Sequence, residues 1–500
     1  MLFALPLTCR GISFARIVGS ALAIVGVISS GANAQPAHSG TTAPRAAVTA
    51  HEKLAREIYA ELVGINTVDS VGSSTRAAEA MARRFRNAGF AAQDVKVLAP
   101  SADTTKGNLV VRYRARPGAA AAKPILLLAH LDVVAALRSD WSRDPFTLQE
   151  ENGFFYGRGT ADDKAMAAMF VANLLRYKAE GWRPDRDLIL ALTAAEEGGA
   201  NNGVSFLISQ HKALIDAEYA INEGGGGALV VRGPEVRPLY HSIQAAEKVS
   251  EHFTLTVTNS GGHSSVPRPD NAIYTLTDGL ARLAAFRFPV GLNPVTRTFF
   301  EQTAKVEKAE MSAPMRVIAA NPDDSAAAAK LSTEPRYASL LRTTCVATRL
   351  AAGHANNALP QKATAHVNCR IVPTSSSEET LATLKRVLAD TSIAIAFSSS
   401  DRDPVPKSAD PVHPALLTAV TDLTRRTWGD IPVIPTMSTG ATDGAYLRAA
   451  GIPTYGVSGI FSLPGESNAH GRDEKLRTKS FYDGLGFLDA LVRRLAGGQR

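Results

Sequence analysis

Pro124-Ile125-Leu126-Leu127-Leu128-Ala129-His130-Leu131-Asp132 is an unbroken apolar run that ends on a histidine and an aspartate. Continuous apolar runs of this length read as strands buried on both faces, as in parallel sheets. In open α/β folds, ligands and chemistry gather at the C-terminal ends of such strands. The pattern recurs along the chain: Leu188 to Thr193 is followed by Glu196-Glu197, and Ala217 to Asn222 by Glu223. Apolar residues at helical spacing fill His51 to Gly64, Ser74 to Ala88 and about Asp163 to Glu180. Alternation of this kind predicts an α/β fold around a mostly parallel sheet.

Beyond residue 245 the pattern changes. Glu251 to Asn259 alternates apolar and polar residues, as a half-exposed antiparallel strand does. A helix from Asn271 to Phe286, strands at Thr343 to Leu350 and Ala363 to Val372, a helix from Ser377 to Ala389 and a strand at Ile393 to Phe397 complete a β-α-β-β-α-β order. That order is ferredoxin-like. Residues 293–342 are polar, partly helical and unplaced by pattern. Helix and strand alternation resumes after Pro404. The expected organisation is a first domain in two parts, 49–245 and 401–500, interrupted by an inserted α+β domain at 246–400. A chain of 500 residues exceeds what one core usually spans, which agrees with two domains.

Arg10 and Arg16 precede an apolar stretch, Ile17 to Ile28, and Ala32-Asn33-Ala34 has the small-x-small form of a signal-peptidase site. Residues 1–34 are therefore expected to be a signal peptide, 35–48 a flexible leader, and the mature protein periplasmic or secreted. Cys9 lies ahead of the apolar stretch and cannot be a lipobox cysteine. No other segment approaches a membrane span, so no membrane association is expected after cleavage. The formal charge of +7 is spread thinly and contains no basic run, which argues against nucleic acid as a partner. Cys345 and Cys369 flank a hairpin centred near Asn357; export permits a disulfide between them, and two buried thiols are the alternative.

His130, Asp162, Glu196, Glu197, Glu223 and His470 supply the donors for hard or borderline cations. His130-Leu131-Asp132 places a carboxylate where it can accept from the imidazole nitrogen that does not bind metal. Alone, such a triplet is weak. Asp162 lies in the glycine-bracketed turn Gly157-Arg158-Gly159-Thr160-Ala161-Asp162-Asp163-Lys164 and can offer one oxygen to each of two ions; Asp163 is expected to cap the helix that follows. Adjacent carboxylates such as Glu196-Glu197 repel each other, and after an apolar strand they imply a cation, with one as ligand and the other as base. His263, in Gly261-Gly262-His263-Ser264-Ser265, can polarise a carbonyl if its loop reaches the site; on sequence alone an ordinary turn is the simpler reading.

In combination these motifs resemble the M20 metallopeptidases, over about Glu52 to Leu495. The matching residues are Ala129-His130-Leu131-Asp132, Gly157 to Lys164, Glu196-Glu197-Gly198, Glu223 and His470. Trp141 to Phe146 and His263-Ser264-Ser265-Val266-Pro267 look most like the carboxypeptidase S and N-acyl-amino-acid hydrolase branch. The resemblance implies two Zn2+ ions per subunit, which Co2+ or Mn2+ could replace. They would share Asp162, one adding His130 and Glu223, the other Glu197 and His470. It further implies Glu196 as general base, Asp132 as the partner orienting His130, and a cis peptide between Asp162 and Asp163. His263 would stabilise the oxyanion, and Asn357, Arg370, Gly440 and Thr442 would recognise the substrate carboxylate. The inserted domain would act as a lid and as the contact of a homodimer. Ala165 replaces the glycine usual after the lysine.

The expected function is therefore hydrolysis of an amide bond in a peptide with a free C-terminal carboxylate. N-acyl-amino-acid hydrolysis is the alternative within hydrolases, and a non-catalytic periplasmic peptide-binding protein the alternative outside them. A phosphoesterase is disfavoured, because no loop here would cradle a phosphate.

Overall fold

Leu126 and Leu128 face one hydrophobic core, while Ile125, Leu127 and Ala129 face another. The period-two alternation of a strand sends successive side chains to opposite faces, so a strand covered on both sides must be apolar throughout. The computed structural model describes residues 49–119, 122–198, 200–399 and 411–498. The signal peptide and leader expected from sequence lie outside them. Among the described residues no helix is long and apolar enough to cross a membrane.

Strand Ile125–His130 lies in the middle of a 10-stranded sheet. It pairs in parallel with Leu188–Thr193 on one side and Tyr219–Asn222 on the other, and Tyr219–Asn222 pairs in parallel with Thr454–Gly456. Antiparallel strands extend the sheet at both ends, through Asn108–Tyr113 and Val95–Leu98 and through Glu235–Glu247 and Gly226–Arg232. One face is covered by helices Ala50–Gly64, Lys164–Ala179, Pro414–Trp428 and Thr478–Ala496, the other by Gly203–Ile215 and Gly444–Ala449. Lys164–Ala179 is apolar almost all round, as befits a helix lying beneath others. Each fully buried Leu or Phe in these layers contributes about 1.5–3 kcal/mol. The α/β expectation holds.

A second, four-stranded sheet is antiparallel throughout, in the order Thr344–Ala352, Lys362–Ile371, Val249–Thr258, Ala394–Phe397. Helices Ala272–Ala285 and Ser377–Leu388 cover one of its faces and close a core of its own around Phe253, Leu255, Val367 and Ile371. The β-α-β-β-α-β order read from sequence is therefore present. Cys345 and Cys369 face each other across this sheet and are joined by a disulfide.

The stretch unplaced by sequence forms four helices, Pro294–Thr303, Ala309–Ala320, Ser325–Leu331 and Pro335–Leu341. They belong to the large core, not the second one: Phe299, Phe300, Met315, Ile318 and Leu341 pack with residues of the large sheet. The chain thus leaves the second sheet after Ala285, returns to the main body, and re-enters at Thr344. These crossings are tied together. Lys248 Nζ donates to Arg342 O at 2.7 Å, Val372 N to Thr343 Oγ1 at 3.2 Å, and Gly291 N to Leu341 O at 2.8 Å. From sequence the stretch was only polar and partly helical, and no strand register told which core would accept it.

Phe300 is fully buried, so Phe300→Ala is expected to cost about 3–5 kcal/mol. Urea unfolding followed through the large core should show the loss; an unchanged midpoint would mean that these helices do not share that core.

Candidate metal centre

His130 and Thr193 are side by side in the sheet register, and Glu196-Glu197 and Glu223 follow the two strands that flank His130. Parallel pairing brings those three strand ends to one edge. The loop after Thr193 turns back through Ala195 at φ 58°, in the left-handed region that a residue with a Cβ seldom adopts. Asp132 fixes that loop, since its carboxylate accepts N–H bonds from Glu196 at 3.1 Å and Glu197 at 2.9 Å. Toward His130 the nearer group is the Asp132 carbonyl, at 3.0 Å from Nδ1, with the carboxylate at 3.7 Å. Asp132 thus orients the imidazole chiefly through its backbone, and spends its side chain on the glutamate loop.

The Asp162 turn is held from the far end of the chain. Glu474, fully buried, accepts from Ala161 N at 2.7 Å, Asp162 N at 3.2 Å and Gly159 N at 3.2 Å, and pairs with the buried Arg158 at 2.6 Å. Arg158 also donates to Gly471 O at 3.0 Å, beside His470. Gly159, at φ 85°, leaves no room for a Cβ, which would lie 2.9 Å from the Lys164 side chain. Lys164 is buried, with Nζ donating to Ile65 O at 2.9 Å, and burial pushes it down to about 7. The Asp162–Asp163 peptide is cis. Asp163 occupies the N-cap position but makes no capping hydrogen bond, and its Oδ2 is buried without a partner. The capping role expected for it is therefore corrected. Its φ of −128° and ψ of 20° are not the extended conformation that aims a side chain at first-turn N–H groups.

Two donor groups result, and Asp162 belongs to both. His130 Nε2 is 2.9 Å from Asp162 Oδ1 and 3.7 Å from Glu223 Oε2. His470 Nε2, on a residue at φ 62°, is 3.1 Å from Asp162 Oδ2 and 2.9 Å from Glu197 Oε2. Within each group the ligand atoms lie within 4.8 Å of one another. None of these carboxylates makes an ion pair with a lysine or arginine among the described residues. Burial, with Asp162 and Asp443 nearby, pushes Glu223 up to about 7, and burial with Glu223 drives Glu196 well above the usual carboxylate range. The hydrogen bonds to Asp162 and Glu197 raise His470 to about 10. Imidazoles and an excess of acid oxygens held this close fit two divalent cations sharing one carboxylate.

A cavity of about 390 Å³ opens beside the centre, lined by Glu196, Glu197, His470, Arg370, Gly440 and Thr442 among others. Arg370 enters from the second sheet. On strand Lys362–Ile371 the odd-numbered residues from Ala363 to Ile371 point into that sheet's core, which leaves Arg370 on the uncovered face. Ser250 pairs with Arg370 in register, and His252 with Asn368, so both face the same cavity. These two residues, with Asn202 and Tyr446, escaped the sequence reading; strand alternation plus register would have found Ser250 and His252. Thr442 lines the cavity, but its hydroxyl donates to Glu247 at 2.8 Å and accepts from Gly444 N at 3.0 Å. Asp443 is likewise committed, to Thr193 and Asn202, each at 2.7 Å.

His263 and Asn357 sit together but apart from this cavity. They lie on the two-stranded pair Gly262–His263 and Ala358–Leu359 and the turn before it, with Ser264 N donating to Asn357 O at 3.0 Å, and both are exposed. The structure therefore brings ten of the twelve residues singled out from sequence to one site and leaves these two outside it.

Residues 126–494 match the model of peptidase family M20/M25/M40. The chain is 29% identical to the probable carboxypeptidase S-like 2 of Dictyostelium discoideum, covering 74% of this chain and 71% of that protein. It is 27% identical to the N-fatty-acyl-amino acid synthase/hydrolase PM20D1 of Homo sapiens, covering 74% of each. In fold it is similar to the M20 family metallo-carboxypeptidase Sso-CP2 of Sulfolobus solfataricus, with a TM-score of 0.62, 19% identity, and coverage of 88% of this chain and 98% of that one. A match over most of the sequence, on a fold whose strand ends assemble paired metal-donor groups, makes this chain a member of the M20 family of metal-dependent peptidases and amidohydrolases.

Proposed function

We propose that the protein is an exported di-zinc hydrolase that cleaves the amide bond next to a residue with a free carboxylate. The observation that carries this reading is the pair of donor groups sharing Asp162, with Glu196 beside them and Arg370 across the same cavity. His130, Asp162 and Glu223 would hold one Zn2+, and Asp162, Glu197 and His470 the other. When bound, such ions supply Lewis acidity, making a water acidic and a carbonyl electrophilic. Glu196 takes the proton from the attacking water and passes it to the leaving nitrogen. Arg370, whose planar fork suits a carboxylate, orients the substrate from the opposite wall, with Ser250 and His252 beside it. His263 and Asn357 join the reaction only when a second copy or a movement of the second sheet brings them to a cavity. The second sheet acts as a lid in this reading. Export is supported by the basic and apolar pattern of residues 1–34 and by the Cys345–Cys369 disulfide, a bond of oxidising compartments.

Two substrate classes fit. Carboxypeptidase or dipeptidase action is favoured by the carboxypeptidase S-like relative. N-acyl-amino-acid hydrolysis is favoured by the cavity. Its carboxylates are Glu196, Glu197 and Asp443, each already engaged in the centre or in Asn202 and Thr193, so none is free to receive an α-ammonium. The deciding test is hydrolysis of a panel of dipeptides and N-acyl amino acids with added Zn2+, with Co2+ and Mn2+ in parallel and chelator as control. Hydrolysis that survives chelation would sink the proposal.

Glu196→Gln is expected to leave metal content near that of the parent while lowering kcat by about 10²–10⁴-fold or more; full residual activity would refute the assignment. His130→Ala should reduce the bound metal itself, measured by atomic absorption after desalting. Arg370→Ala should act mainly on KM for substrates with a free carboxylate and little on their amides; equal losses on both would remove Arg370 from carboxylate recognition.

A further inference from the structure

A second cavity, of about 590 Å³, lies away from the metal centre. It is bounded by the end of helix Ala272–Ala285, the start of edge strand Thr344–Ala352 and the close of helix Pro335–Leu341. Its size is that of a small-molecule site. Leu280, Leu283, Phe286 and Phe288 form an apolar wall, with Val346 opposite. Two guanidinium groups, Arg287 and Arg342, also line it, and both continue into an adjoining cavity of about 490 Å³.

Neither arginine makes an ion pair among the described residues. Arg287 Nη1 donates only to backbone, to Ala284 O at 2.8 Å and Phe286 O at 3.1 Å. Arg342 Nε is shut off from solvent without a hydrogen-bond partner. Burial, and then the Arg287 charge, hold Arg342 below its ordinary range. Two acids line the adjoining cavity: Asp324 caps Ser325–Leu331, accepting from Ala327 N at 2.8 Å, and Asp323 makes no ion pair with either arginine among the described residues. Two like charges facing one cavity repel each other, and an anion held between them offsets that repulsion. A planar fork binds a carboxylate through paired hydrogen bonds, and the adjacent apolar wall would take a hydrocarbon chain.

We propose that this cavity binds a long-chain carboxylate, its head between Arg287 and Arg342 and its chain along Leu280, Leu283, Phe286 and Phe288. The site is separate from the metal cavity and shares no lining residue with it.

The test uses the full-length, zinc-loaded protein and a dansylated undecanoic acid, whose emission rises on entering an apolar site. Saturable enhancement is expected, reversed by laurate and roughly tenfold less well by dodecanol, which keeps the chain and lacks the charge. The double variant Arg287→Ala with Arg342→Gln should weaken binding by about tenfold or more. Ala284→Trp, which keeps both arginines and fills the cavity, should abolish binding and leave hydrolysis of a short N-acyl amino acid unchanged. The filling variant decides the matter if the double variant does not fold. The proposal is overturned by absence of enhancement, by equal displacement with laurate and dodecanol, or by parental affinity in either variant. Displacement by a short N-acyl amino acid would overturn it too, since the probe would then occupy the metal cavity.

Discussion

Like charges must be held together against their own repulsion, and the rest of this structure is organised around that requirement. Asp162, Glu196, Glu197 and Glu223 meet at one sheet edge in a partly desolvated setting, where each ionised carboxylate raises the cost of the next. Side chains on flexible loops would drift apart. Here the loops are fixed through their backbones by two other carboxylates: Asp132 holds the Glu196-Glu197 amides, and Glu474 holds the Asp162 turn. Hydrogen bonds from N–H groups to ionised oxygens are about twice as strong as neutral ones. The geometry is therefore set before any cation arrives, and the cation relieves the strain that the fold maintains.

Much of this was legible because buried parallel strands leave a plain mark in sequence. A run such as Ile125 to Ala129 has nowhere to be but between two layers, and the residue that ends it must lie at the sheet's edge. That is why His130, Glu196, Glu197 and Glu223 could be grouped without a structure. Asp162 and His470 were grouped with them as donors, but they lie on turns whose course depends on Arg158 and Glu474, and which ion each would serve came from the resemblance. Glu474 itself was missed: one of two acids in Arg472-Asp473-Glu474-Lys475, it looks like part of an exposed loop, and only the buried guanidinium 316 residues away gives it meaning. Ser250 and His252 were missed for a different reason. Their strand was found, but which face of it looks toward the metal cavity depends on how two sheets meet.

The helices of residues 294–341 show the same limit. The sequence left them unplaced, and the structure assigns their apolar residues to the large core. The second sheet is consequently joined to the main body at more places than an insertion bounded by two crossings would be. Bonds from Lys248 to Arg342 and from Val372 to Thr343 link those crossings to one another. Arg370 is thereby presented to the cavity from a sheet whose footing is broad.

The clamp between Arg158 and Glu474 has a bearing on biosynthesis. During translation the segments bearing His130, Glu197 and Glu223 emerge first, while the segment carrying His470 and Glu474 comes later. Until that segment docks, Arg158 lacks its counter-ion and the Asp162 turn lacks the carboxylate that gathers its amides. A nascent chain would present an unfinished set of donors for nearly its whole synthesis. The donor set is thus completed only once that late segment has docked.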